Sequence, residues 1–241
     1  MDTVKVQFNR SPLWKYIEPI VPAIQALPKW YKDMKPWIAG HTPPDHHNNG
    51  TVKACPAMFD SMTQGYIMPL WTDLYVEPSE DGLPLFSWNP GIVSGTERPL
   101  MQRFGPKVTE GMPHADKTQN TAFKIDSPWM ITTPPGYSTL FVAPFNNKDI
   151  MFEAMTGVIH TDVFTTYINL PFLWTAPADF KGIIKQGTPL VQLIPFKREE
   201  FEYEIGFISS DQEQEQQACT QAARTSFGGG YRHVFGEMVK D

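Results

Sequence analysis

His160 and Asp162 carry the strongest chemical suggestion in this chain, two positions apart in the run Gly157-Val158-Ile159-His160-Thr161-Asp162. Side chains two positions apart on a strand project from the same face, so an imidazole and a carboxylate at this spacing can chelate one ion. With a distant second histidine, the pattern is that of a non-haem Fe(II) facial triad. His233 is the histidine downstream, and it completes the candidate metal set His160, Asp162 and His233. An oxygenase of the Fe(II)/2-oxoglutarate type follows as one reading, although no arginine follows His233 to seat the 2-oxoglutarate. The same two residues are also candidate catalytic groups, since either could orient a water and accept its proton near neutral pH. The competing reading of His160 is a partly buried, hydrogen-bonded histidine.

Other reactive-looking residues have simpler readings. Asp45-His46-His47 lies between Pro44 and Asn48-Asn49-Gly50, the composition of a solvated turn. Cys55 and Cys219 are the two cysteines, too few for a disulfide framework or a zinc finger. Glu199, Glu200, Glu202 and Glu204 accompany Phe201, Tyr203 and Ile205. That alternation predicts a strand with one solvated and one buried face, and no paired-carboxylate chemistry. Trp71, Trp88, Trp129 and Trp174 read mostly as core.

The elements that must position these residues are short and β-rich. The chain has 241 residues, with 23 Pro, 17 Gly, 16 Phe, 7 Trp and 8 Tyr. Proline is excluded from helix interiors and central strands, so it punctuates short elements. The aromatic content supplies apolar area for a core. Strands are predicted over 66–76, 85–88, 122–125, 129–132, 138–143, 151–159, 163–170 and 190–196, a spacing that signals a sandwich or barrel. Residues 1–50 form a Pro/Trp-rich arm with a short helix opening on Pro28. Residues 51–208 form the β domain, with a two- to three-turn helix ending at Gly65 and a long loop over 89–119. Residues 209–241 form a polar helix beginning near Ser209 and a Gly-rich tail.

Net charge is −6, without the basic cluster that duplex binding requires. Nucleic acid is not an expected partner. The first residues lack the apolar run of a signal peptide, and no apolar stretch is long enough to span a bilayer. The expectation is a protein of the cytoplasm without a membrane segment.

The segments Pro134-Pro135-Gly136-Tyr137, Ala143-Pro144, Gly157–Asp162 and Gly187-Thr188-Pro189-Leu190-Val191-Gln192-Leu193-Ile194 resemble, in order and spacing, the barrel of the dUTPase and dCTP deaminase superfamily. The resemblance implies a dUTPase-like β-barrel or jelly roll with its core sheet over Pro134–Arg198, and a homo-oligomer, by analogy a trimer. It also makes Asn146, Asn147 and Gln192 candidate ligand-binding residues for a pyrimidine nucleotide. At the chemical positions the chain departs from that family. Phe145-Asn146-Asn147 replaces the phosphate-holding Arg-Ser-Gly, His160 replaces the water-activating Asp, and Val163 replaces the stacking Tyr.

The segments Leu27–Lys32, Gly65–Trp71 and Gly187–Arg198 also resemble uncharacterised marine bacteriophage proteins, which implies a viral origin and makes the expected location the host cytoplasm, with the virion as the alternative. The reading that follows is a phage-encoded, self-associating β-barrel protein that leans away from being an enzyme. Its alternatives are a binder or hydrolase of pyrimidine nucleotides and the Fe(II) oxygenase. The motifs name no cofactor.

Overall fold

The computed structural model describes residues 3–14, 16–39, 50–80, 82–89, 100–105, 107–112, 122–148 and 150–225. It is mainly β, with three antiparallel sheets and a C-terminal helix. In chain order the strands and helices are β1 (Gln7–Asn9), β2 (Val21–Pro22), α1 (Lys29–Asp33), α2 (Pro56–Thr63), β3 (Tyr66–Pro69), β4 (Leu74–Pro78), β5 (Pro84–Trp88), β6 (Met101–Arg103), β7 (Ala122–Thr132), β8 (Tyr137–Val142), β9 (Phe152–Ala154), β10 (Gly157–Ile159), β11 (Tyr167–Trp174), β12 (Gly182–Ile184), β13 (Pro189–Lys197) and α3 (Ser210–Thr225).

The chain forms two compact units. One comprises residues 1–26 and 64–198, and the other residues 27–63 and 199–241. The first half of the expected arm therefore groups with the sheets: β1 pairs with the end of β7, and β2 with β3.

In the first unit, one sheet runs β1-β7-β11-β9, with β6 also on β7. β1 and β6 pair with opposite halves of β7, at Met130–Thr132 and Phe123–Ile125. A second sheet runs β10-β8-β13-β3-β2, and a third β12-β4-β5. The core is aromatic. Phe86 meets Phe123 at 4.9 Å and Trp174 at 5.3 Å, both edge-on, the arrangement ring quadrupoles favour. Trp71, Trp129 and Trp174 are buried and Trp88 is half-buried.

Several strands differ from the expected ones. The predicted strand over 66–76 divides into β3 and β4, because the backbone of Leu70 turns away to bond Thr188 O (2.7 Å) and to accept from Gly187 N (2.8 Å). The two short strands expected at 122–125 and 129–132 are a single β7, whose pairing with β11 skips between Asp126 and Met130. The expected loop over 89–119 contains β6, too short to show periodicity. Val163 and Phe164 lie in a turn, with β11 starting only at Tyr167.

In the second unit, α1 opens after Pro28. Tyr31 is buried there, its hydroxyl donating to Lys53 O at 3.2 Å. Helix α3 begins on a reciprocal cap: Gln212 N donates to Ser209 Oγ (3.2 Å), and Ser209 N to Gln212 Oε1 (2.9 Å). Residues 199–209, expected to include a strand with one buried face, belong to no sheet. Phe201, Tyr203 and Ile205 are 85%, 89% and 89% exposed. Alternation alone cannot bury a face without a neighbouring strand to pair with. No helix among the described residues is long and apolar enough to cross a membrane.

Candidate functional site

The sequence candidates fall at two ends of one ladder. Strand β13 pairs with β8 from Gln192↔Val142 to Lys197↔Tyr137. At about 3.3 Å per residue, those ends lie roughly 16 Å apart.

At one end sit His160 and Asp162. They are not on a strand: β10 stops at Ile159, and the chain turns, with His160 O accepting from Val163 N (3.1 Å) and Phe164 N (2.8 Å). The reason lies in Thr161, which is fully buried and bonds Thr133 Oγ1 (2.8 Å) and Thr139 Oγ1 (3.0 Å). Anchoring Thr161 inward brings its two neighbours together on Arg198. The Arg198 guanidinium grips Asp162 with two nitrogens, Nη1 reaching Oδ1 at 2.9 Å and Nη2 reaching Oδ2. Gly136 N also donates to Oδ2, at 2.9 Å.

Asp162 thus has both oxygens engaged. Its carboxyl is held far below the usual range, chiefly by the hydrogen bonds from Arg198 and then by that from Gly136. The same pairing raises Arg198. The left-handed φ of 84° at Gly136 fits the third position of a tight turn, closed by Tyr137 N to Pro134 O at 3.2 Å. That turn also takes Arg198 N on the carbonyl of Gly136, at 2.8 Å.

His160 Nδ1 lies 2.8 Å from Ser138 Oγ and 3.4 Å from Arg198 Nη1, while Nη1 donates to Ser138 Oγ at 2.9 Å. Arginine can only donate. Facing that donor, Nδ1 is placed to accept, and His160 as a whole is exposed.

At the other end, Gln192 is buried and stitches two turns together. Its Oε1 accepts from Phe145 N (3.1 Å), and its Nε2 donates to Gln64 O (2.7 Å). Asn146 takes a left-handed φ of 57°, and Asn147 N closes the turn on Pro144 O at 3.2 Å. Both asparagines are half-buried. Left-handed backbone is tolerated by asparagine better than by most residues, which accounts for residue type in the Pro144–Asn147 turn.

Among the described residues, no three His, Cys, Asp or Glu side chains converge as a metal set requires. His233 and the Asp45-His46-His47 run lie outside the described residues. Chemically, the His160 cluster is a salt-bridged lock in which one carboxylate, one guanidinium and one hydroxyl fasten the end of β13 to the turns before β8 and after β10. Sequence reading missed Arg198, Ser138 and Gly136 as members. The available signal was register, since extending the β8–β13 ladder past Lys197↔Tyr137 sets Arg198 beside Gly136.

Replacing Arg198 with alanine is expected to lower thermal stability in a pH-dependent way. A depressed carboxyl stabilises the fold fully above its unfolded pKa, near 3.8, and that contribution fades as pH falls below it. The gap in Tm between wild type and R198A should therefore be full at neutral pH and shrink steadily in acid. Calorimetry across that range checks it.

A separate hollow sits where the first residues meet the first sheet. This cleft of about 400 Å³ is lined by Trp14, Leu100, Asp126, Ser127, Phe164 and Tyr167, among others.

Compared with known proteins, the chain matches no protein-family model and no curated protein.

Proposed function

We propose that the protein works by self-association: the segment 199–208 of one copy adds as a strand to the sheet edge of a second copy. The observation that carries this reading is the exposure of Phe201, Tyr203, Ile205, Phe207 and Ile208 along that segment, from 62% to 106%. Exposed apolar runs of this kind are costly in water and mark interaction surfaces. Strand addition satisfies backbone groups along an edge, while alternate side chains enter pockets.

Strand β5 suits such an incoming strand. It lies at the edge of its sheet and is five residues long. Beside it is a groove of about 250 Å³ lined by Phe86, Trp88, Met101 and Phe123, with Arg103 as a cation for a glutamate-rich strand. The segments that resemble the dUTPase superfamily meet in one sheet as the neighbours β10, β8 and β13, which supports a dUTPase-like barrel and, with it, a trimer. The resemblance to phage proteins supports an accessory role in a virus.

The triple variant F201S/Y203S/I205S tests the contact. Its mass by light scattering is expected to fall to that of one chain, with the far-ultraviolet spectrum of the β domain unchanged. An assembly that survives all three substitutions contradicts the proposed segment.

A further inference from the structure

We propose that the cleft beside Trp14 binds a small planar cation or N–H-rich aromatic, a molecule of the amidine or amino-heterocycle class, with Asp126 as its anionic partner. The site goes beyond the self-association reading and shares none of the residues on which that reading rests.

Asp126 is a carboxylate whose charge is poorly met. Its Oδ1 is shut off from solvent and has no hydrogen-bond partner among the described residues. Among the described residues, its Oδ2 meets only the amide of Gln102, at 3.5 Å, the outer limit of a hydrogen bond. The residue as a whole is half-buried, and an oxygen closed to solvent is closed to a ligand too, so Oδ2 is the atom that a donor bound in the cleft can reach. No lysine or arginine is among the described residues lining the cleft. Arg10, next in sequence to the lining residue Ser11, is engaged over the Trp129 ring at 5.1 Å.

The backbone holds Asp126 in this place deliberately. Asn169 pairs directly with Asp126 and Tyr167 with Met130, so β7 carries extra residues, Ser127 to Trp129, opposite Ile168. That bulge is closed by Trp129 N donating to Ser127 Oγ at 3.0 Å. Bulges re-aim side chains and cluster beside functional sites. Asp126 and Asn169, being directly opposed in an antiparallel pair, lie on the same face, and both line the cleft.

The rest of the wall determines what fits. Trp14, Phe164 and Tyr167 are among the lining residues, and aromatic rings attract cations and stack on flat molecules. Apolar walls with few convergent polar groups are the usual make-up of a small-molecule pocket, and about 400 Å³ is within its range. A carboxylate with no cation among the described lining residues repels phosphates, so the expected ligand is uncharged or positive rather than a nucleoside triphosphate.

Benzamidine titrated into the full chain by isothermal calorimetry is the test, with benzoate as its shape-matched anion. Saturable binding of benzamidine and none of benzoate is expected. Asp126→Asn should weaken benzamidine by about tenfold to a hundredfold, the worth of a charge-assisted pair. Tyr167→Ser, at a 48% exposed position where folding is not at stake, should weaken it severalfold and keeps the test decisive if Asp126→Asn does not fold. Equal binding of benzamidine and benzoate, no saturable benzamidine binding in the millimolar range, or unchanged affinity in the variants would overturn the proposal.

Discussion

Gly65→Ala is expected to cost about 3–5 kcal/mol, near the upper end for single substitutions, and to lower Tm by roughly 10 °C. Gly65 sits between α2 and β3 with a φ of 69°, a region where an L side chain is strained by about 1–2 kcal/mol. The larger part of the effect is steric. A Cβ built there would stand 2.0 Å from Leu193 O and 3.2 Å from Ile194 Cα. Neither atom can yield cheaply, because Leu193 is in the middle of β13, paired with Tyr66 on one side and Phe141 on the other.

Gly136 is the control, since its φ is also left-handed, at 84°, but nothing lies within 4 Å of its added Cβ. Gly136→Ala should cost only about 1–2 kcal/mol of backbone strain. Denaturant unfolding of the two variants separates the contributions, and equal losses would show that the close approach to Leu193 is unimportant.

Gln192→Leu is expected to lose about 2–4 kcal/mol despite adding apolar volume to the core. The side chain is 1% exposed and bonded at both ends to backbone groups of two different turns, Phe145 N and Gln64 O. Leucine fills the space and leaves both partners unmet, at about 1–3 kcal/mol for each buried group. Gln192→Glu should be no better, because it keeps the acceptor, loses the donor and buries a charge. Gln64 adjoins Gly65, so the G65A/Q192L double variant should lose less than the two single losses added together. Chemical denaturation of the four proteins measures that coupling.

These two positions also show what the sequence made readable. Gly65 was legible as a helix stop, because glycine after a short apolar run ends helices, but its approach to Leu193 was not. Strand β13 was predicted over 190–196 and is Pro189–Lys197; β8 was predicted over 138–143 and is Tyr137–Val142. Their runs are apolar and bounded by turn residues, the signal that sequence carries best. β6 and β12 were not legible, since three residues carry no period.

The strand expected at 199–205 shows the opposite failure. The alternation is real, yet the segment has no place in a sheet of its own chain.

At the candidate site, residue type was readable and geometry was not. His160 and Asp162 were identified as neighbours, and they do converge, but through the inward anchor of Thr161 rather than through strand alternation. Their common partner, Arg198, is 36 residues away from Asp162 in sequence, and only the pairing of β13 with β8 brings it there. The charge of Asp126 was invisible for a related reason. Asp126 fell between the strands expected at 122–125 and 129–132, and the bulge over Ser127 to Trp129 appears only once β7 and β11 are paired.

The resemblance to the dUTPase superfamily and the exposed segment 199–208 lead to one quantity, the number of chains in solution. The direct measurement is size-exclusion chromatography with light scattering on the unmodified chain at micromolar concentration. Self-association as a trimer predicts a mass three times the 27.4 kDa of one chain. A mass of one chain at that concentration would contradict the account.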